Sequence, residues 1–204
     1  LDVRHHWEDL YHGTSPDKVS WYQENPAISL DFIEKTGLPK DSQILDVGCG
    51  ASTLVDQLLL QGYRNLALLD TSTRALFLTQ ERLGEKATDV TWHHGDVTRY
   101  SLPHRYSLWH DRAVFHFLVD PTDRRAYVTS LRQALRPNGH LILATFAVGG
   151  PTKCSGLDVI QYDTQKITTE LGQNFRLIET LEELHQTPSH NEQLFSYFWF
   201  IRDR

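Results

Sequence analysis

Asp46 stands two residues before Gly48, Asp70 follows that glycine by 22 residues, and Asp96 sits in "HGDV". Each acid falls at or near the end of an apolar run: "QILDVG" (43–48), "NLALLD" (65–70) and "VTWHHGD" (90–96). Carboxylates delivered to one rim in this way can accept hydrogen bonds from ribose hydroxyls and from an exocyclic amino group, and can face a cation. The Gly48-Cys49-Gly50 turn lets the backbone pass close to such a ligand with no Cβ in the way. The histidines suggest no metal site. His93 and His94 are strand neighbours that point to opposite faces, and the others lack ligand spacing.

Positioning those acids requires strands that all end on the same side. The three runs, together with "YSLWHD" (106–111) and "HLILATFA" (140–147), alternate with helical spacing. In 51–62 the pairs Leu54/Leu58 and Val55/Leu59 fall four apart; in 123–136 Tyr127, Leu131, Ala134 and Leu135 form one stripe, stopped by Arg136-Pro137-Asn138-Gly139. This βαβα order predicts a parallel sheet covered on both faces. A helix over 163–173 and two extended stretches, 175–186 and 193–204, joined by "TPSHNE", predict an antiparallel hairpin closing the sheet edge. Residues 1–40 carry Trp7, Tyr11, Trp21 and Tyr22, then a helix from Pro26 to about Thr36 that ends at Gly37.

The whole length, 1–204, is therefore expected to form one domain, with 1–40 as an N-terminal lid or helix segment and 41–204 as the core. Lys and Arg total 20 against 26 Asp and Glu, a net charge of −6, with no basic block to track a phosphate backbone, so nucleic acid is not an expected partner. Cys49 and Cys154 cannot supply a disulfide framework, which points to a reducing, cytoplasmic setting. No apolar signal region stands at the N-terminus and no run approaches the roughly eighteen residues of a membrane span.

A Gly-x-Gly after a strand is shared with dinucleotide-binding folds. That fingerprint wants a third glycine at position 53, where this sequence has Thr53. Asp46 would also repel a pyrophosphate, whereas it suits a ligand bearing an ammonium and a sulfonium. The ligand that joins adenosine to a charged amino acid without phosphate is S-adenosylmethionine. An NAD-dependent oxidoreductase is the alternative, as is a cofactor-binding regulatory module without catalysis. Plainer roles also exist: Asp46 as a turn cap, Asp70 and Asp96 as solvated strand ends.

With "LDVGCGAS", Asp70, "GDV" and the C-terminal hairpin, residues 40–204 resemble the class I S-adenosylmethionine-dependent methyltransferases. "HWEDLY", "VSWYQ", "HDRAVFHFL" and "RRAYVTSLRQALRPNGHLILATF" are similar to the small methyltransferases grouped with the elongation-factor lysine methyltransferases and their bacterial relatives. The resemblance implies a Rossmann-like, seven-stranded, mostly parallel sheet with helices on both faces and a reversed last strand. It implies that Gly48, Cys49, Gly50 and Ser52, the last in place of a usual glycine, lie against the methionine part and ribose. Asp70 with Thr71 would hold the ribose hydroxyls, and Asp96 with Val97 would frame the adenine. Asp111 falls where a strand-end carbonyl meets the cofactor ammonium, and Asp46 would act through water or by fixing the loop. The product would be S-adenosylhomocysteine and the acceptor a small molecule or a protein side chain.

Methyl transfer from a sulfonium is an in-line displacement that needs alignment and exclusion of water rather than a triad. If the acceptor is an amine, Asp111 or His116 is a candidate base, with helix-start packing the other reading of His116. Trp21 and Tyr22 are either an active-site cover or hydrophobic packing. Together with the loop 148–159, whose Gly149, Gly150 and Gly156 supply mobility, the segment 19–23 is expected to form a lid.

Overall fold

In the computed structural model, which describes residues 3–103 and 105–203, the five apolar runs are strands that all point the same way. They are β1 (Gln43–Val47), β2 (Asn65–Asp70), β3 (Val90–His94), β4 (Tyr106–Arg112) and β5 (Leu135–Phe146). A two-residue ladder, β6 (Lys153–Cys154) with β7 (Leu157–Asp158), precedes the hairpin strands β8 (Phe175–Gln186) and β9 (Glu192–Arg202). The main sheet has seven strands in the order β3-β2-β1-β4-β5-β9-β8. β9 is antiparallel both to β5 and to β8. Strand order reverses between β1 and β4, which opens a crevice outside their carboxyl ends.

Strand alternation divides the core into two layers. Ile44, Leu108, Ile142 and Ala144 face the helices α2 (Ala27–Lys35), α3 (Leu54–Leu60) and α4 (Thr73–Leu83), packing with Phe32, Ile33, Leu54, Leu58 and Leu76. Leu45, Trp109, Leu141 and Leu143 face α5 (Pro121–Ala134) and α6 (Thr164–Leu171), packing with Tyr127, Leu131 and Ile167. Burial of each large apolar side chain in these layers contributes about 1.5–3 kcal/mol. Among the described residues no helix is long and apolar enough to cross a membrane.

Local chemistry sets the element ends. Asp120 caps α5 by accepting from the Thr122 amide, with Pro121 in the first turn. That helix stops at Ala134, two residues before the expected end. Leu135 already pairs with Tyr106; the ladder then breaks and resumes at Leu108 and His140, with Pro137-Asn138-Gly139 bulging between and Asn138 at φ 60°. Gly37, at φ 66°, follows α2 as a left-handed stop. Helix α4 fills the span between β2 and β3 as the alternation requires, whereas α1 (Val3–Gly13) lies ahead of the one helix expected within residues 1–40.

Candidate active site

A cavity of about 230 Å³ opens at the carboxyl ends of β1, β2, β3 and β4. Asp46, Gly48, Cys49 and Ser52 line it from the first strand and its loop; Asp70 and Thr71 line it from the second, and Asp96 and Val97 from the third. Trp21 and Tyr22 line it from the N-terminal side with Trp7 and Tyr11. The three acids singled out by spacing therefore share one wall.

The Asp70 carboxylate is buried and already shapes the loop. Its Oδ2 accepts from the Gly50 amide at 2.7 Å and its Oδ1 from the Ser72 amide at 2.8 Å. Burial drives its pKa up to about 6 against the pull of those two amides. A carboxylate offers about four acceptor sites, so two remain for a pair of hydroxyls. Asp96, at the next strand end, accepts at Oδ1 from both the amide (2.9 Å) and the hydroxyl (2.7 Å) of Thr98.

Gly50 packs against Tyr11, itself a lining residue of the cavity. A Cβ there would run into the hydroxyl of Tyr11, and its φ is +52°. Burial pushes the Tyr11 phenol well above its usual pKa, helped by the nearby Asp70 charge. The helix α1 that carries Tyr11 is held by Glu8. This carboxylate accepts from Ser72 Oγ (2.6 Å), Thr73 Oγ1 (2.7 Å) and the Arg74 amide (3.2 Å), across the start of α4. Burial raises its pKa, but the three hydrogen bonds together outweigh that and bring it down to about 2. Thr53, which replaces the third glycine, donates through Oγ1 to the Gln23 carbonyl at 2.9 Å, so the loop holds the N-terminal segment rather than a pyrophosphate.

Asp111 and His116 sit elsewhere. Asp111 points to the α5 layer, fully buried, accepting from the Val114 amide (2.8 Å) and Tyr127 Oη (2.6 Å). Burial pushes its pKa up to about 7. His116 accepts at Nδ1 from the Phe146 amide at 3.0 Å among the rings of Phe117, Phe146 and Phe195, and burial, with the Arg112 charge, lowers its pKa to about 3. Neither side chain lines the cavity. The helix-start packing reading describes His116.

Their neighbours on β4, His110 and Arg112, face the cavity instead. His110 Nδ1 lies 2.7 Å from Asp46 Oδ1, and its Nε2 lies 2.8 Å from Ser29 Oγ on α2. Arg112 donates to Tyr197 Oη and to the Trp21 carbonyl, both at 2.8 Å, and stacks over Phe195 at 4.4 Å. Strand parity could have flagged both residues once Asp46 was placed on a face; Ser29, on a separate helix, carried no local signal. Ala113 then turns the chain at φ 75°. The loop 148–159 does not line the cavity. It carries the β6–β7 ladder and meets the N-terminal segment, with Cys154 Sγ 3.9 Å from Ser20 Oγ.

A model of the methyltransferase domain matches residues 44–139, from β1 into the bulge at the start of β5. That stretch is a little under half of the chain, and it holds β1 to β4, which carry the cavity. The chain is 29% identical to EEF1A lysine methyltransferase 2 of Danio rerio over 61% of its own length and 57% of the relative. It is 23% identical to a ubiquinone biosynthesis O-methyltransferase of Aromatoleum aromaticum over 71% of the chain and 58% of the relative. The chain thus spans little more than half the length of either curated relative. The crystal structure of the N-methyltransferase NodS from Bradyrhizobium japonicum with S-adenosyl-l-homocysteine superposes with a TM-score of 0.71 at 16% identity, covering 98% of this chain and 100% of NodS. The cavity wall is acidic, with Asp46, Asp70, Asp96 and Asp123, and among the described residues Arg112 is the one Lys or Arg that lines it. That acceptor set fits hydroxyls, an amino group and a cation, and does not fit the pyrophosphate of a dinucleotide.

Proposed function

We propose that this chain transfers a methyl group from S-adenosylmethionine to a nucleophile on a small molecule or a protein side chain. The observation that carries the reading is the convergence of Asp46, Asp70 and Asp96 on one cavity at the strand ends. When bound, S-adenosylmethionine supplies a methyl group already activated on a sulfonium. Asp70 accepts the ribose hydroxyls, with Thr71 beside it. Asp96 and Val97 frame the adenine; Gly48, Cys49 and Ser52 lie along the methionine part and ribose. The aromatic wall of Trp7, Tyr11, Trp21 and Tyr22 excludes water and presents ring faces to positive charge.

One relative's name specifies an oxygen acceptor and another a lysine, and a shared fold does not choose between them. Calorimetry with S-adenosylhomocysteine and NAD tests the cofactor. Binding of the first alone is expected, and binding of NAD alone would overturn the reading. Incubating cell lysate with the protein and methyl-labelled cofactor then assigns the acceptor class. Label above a no-enzyme control is expected in either the protein or the small-molecule fraction, and none in both would reduce the chain to a binding module.

A further inference from the structure

We propose that Ser29, His110 and Asp46 form a proton relay that removes the methyl acceptor's proton during transfer. All three line the cavity, from α2, β4 and β1 in turn, and all three are buried. The links are short: 2.8 Å from Ser29 Oγ to His110 Nε2 and 2.7 Å from His110 Nδ1 to Asp46 Oδ1. An ionised carboxylate only accepts, so His110 must donate from Nδ1; its Nε2 lone pair is then turned toward the Ser29 hydroxyl. The array thus has a defined direction, with an acceptor nitrogen aimed at a hydroxyl that itself borders the cavity. A purely structural hydrogen bond would not require all three groups at the wall of the site.

This inference rests on the methyltransferase reading and names its acceptor class: a hydroxyl, thiol or ammonium, which has a proton to lose, rather than a thioether or tertiary amine, which has none. A lone pair on the acceptor, freed by the proton's departure where the acceptor is an ammonium, forms the new bond to the methyl carbon, and the carbon–sulfur bond breaks with its electron pair left on sulfur. The acceptor's proton passes to Ser29 Oγ as the serine's own proton passes to His110 Nε2. Asp46 holds the resulting imidazolium through Nδ1–H until solvent takes the proton. Ser29 is the group that meets the acceptor, and His110 and Asp46 act through it.

The test uses 4-nitrophenol as an acceptor probe with the full chain saturated by S-adenosylhomocysteine, so no methyl group can move and only ionisation is read. At a pH where the free phenol is about one-tenth ionised, the wild-type complex is expected to raise the phenolate absorbance several-fold. His110→Gln and Asp46→Asn should return it to the free value. An unchanged absorbance in the wild type, or a rise that persists in His110→Gln, overturns the relay. A rise that persists in Ser29→Ala overturns passage through the hydroxyl. Calorimetry with S-adenosylhomocysteine on the same samples keeps the two readings apart, because a wild-type chain that fails to bind it sinks the methyltransferase reading instead. Ser29→Ala, the smallest change, carries the test should the other variants fold poorly.

Discussion

Asp70 answers to two demands on one carboxylate, since the amides of Gly50 and Ser72 fix it and a ligand must still find it ionised. Removing it in Asp70→Ala is expected to weaken S-adenosylhomocysteine binding by about 2–3 kcal/mol, measured by calorimetry, because hydrogen bonds to a charged acceptor are the stronger class. The same carboxylate sets a pH dependence. Burial has raised its pKa to about 6, and protonation removes the acceptor that the ribose needs. Affinity should therefore be level above about pH 7 and fall as pH drops through 6, and Asp70→Asn should lose that dependence. Gly50 carries a different expectation. At φ +52° a side chain costs about 1–2 kcal/mol, and its Cβ would also displace Tyr11. Gly50→Ala should lower the melting temperature and speed proteolysis within residues 3–13, so it reads the docking of α1 as well as ligand binding.

At the scale of elements, the N-terminal arm and the Gly loop are tied at several points. Glu8 spans the start of α4, Tyr11 covers Gly50, Thr53 holds the Gln23 carbonyl, and Arg112 holds the Trp21 carbonyl. Few of these ties were legible in the sequence. Helix α1 is short and its pattern is mixed, and its aromatic residues gain meaning only from partners outside the helix, such as Gly50 and Trp21 for Tyr11 and Phe117 for Trp7. The five parallel strands, by contrast, announce themselves through continuous apolar runs, and Pro26, Gly37 and Pro121 mark helix ends by local rules that need no tertiary partner. Deleting residues 1–24 should abolish S-adenosylhomocysteine binding while leaving the far-ultraviolet circular dichroism of the sheet in place. Limited proteolysis adds a second check: the ligand should protect residues 3–23, and equal cleavage with and without it would show that the arm does not respond to the site.

For the molecule as a whole, the buried charges set how stability tracks pH. Asp111, raised to about 7 by burial beneath α5, favours the folded chain when protonated. Its contribution is fully present below about pH 4 and is lost as pH rises through 7. Glu8 runs the other way, since its folded pKa lies near 2: its contribution is present above about pH 4.5 and is lost as pH falls through 2. Melting curves should show Asp111→Asn flattening the profile between about pH 4 and 7, with Glu8→Gln altering only the acid side.

Strand β4 holds one further consequence. Trp109 and Asp111 belong to one layer, His110 and Arg112 to the other, and nothing but odd or even position in the chain separates the two sets. Chemical identity at this site is thus encoded as parity. Deleting a single residue between 106 and 109 would leave composition almost untouched, yet it would turn an imidazole and a guanidinium into the layer beneath α5 and bring an indole and a carboxyl to the cavity. Natural variants of this chain should tolerate substitution along β4 far more readily than any change in its length.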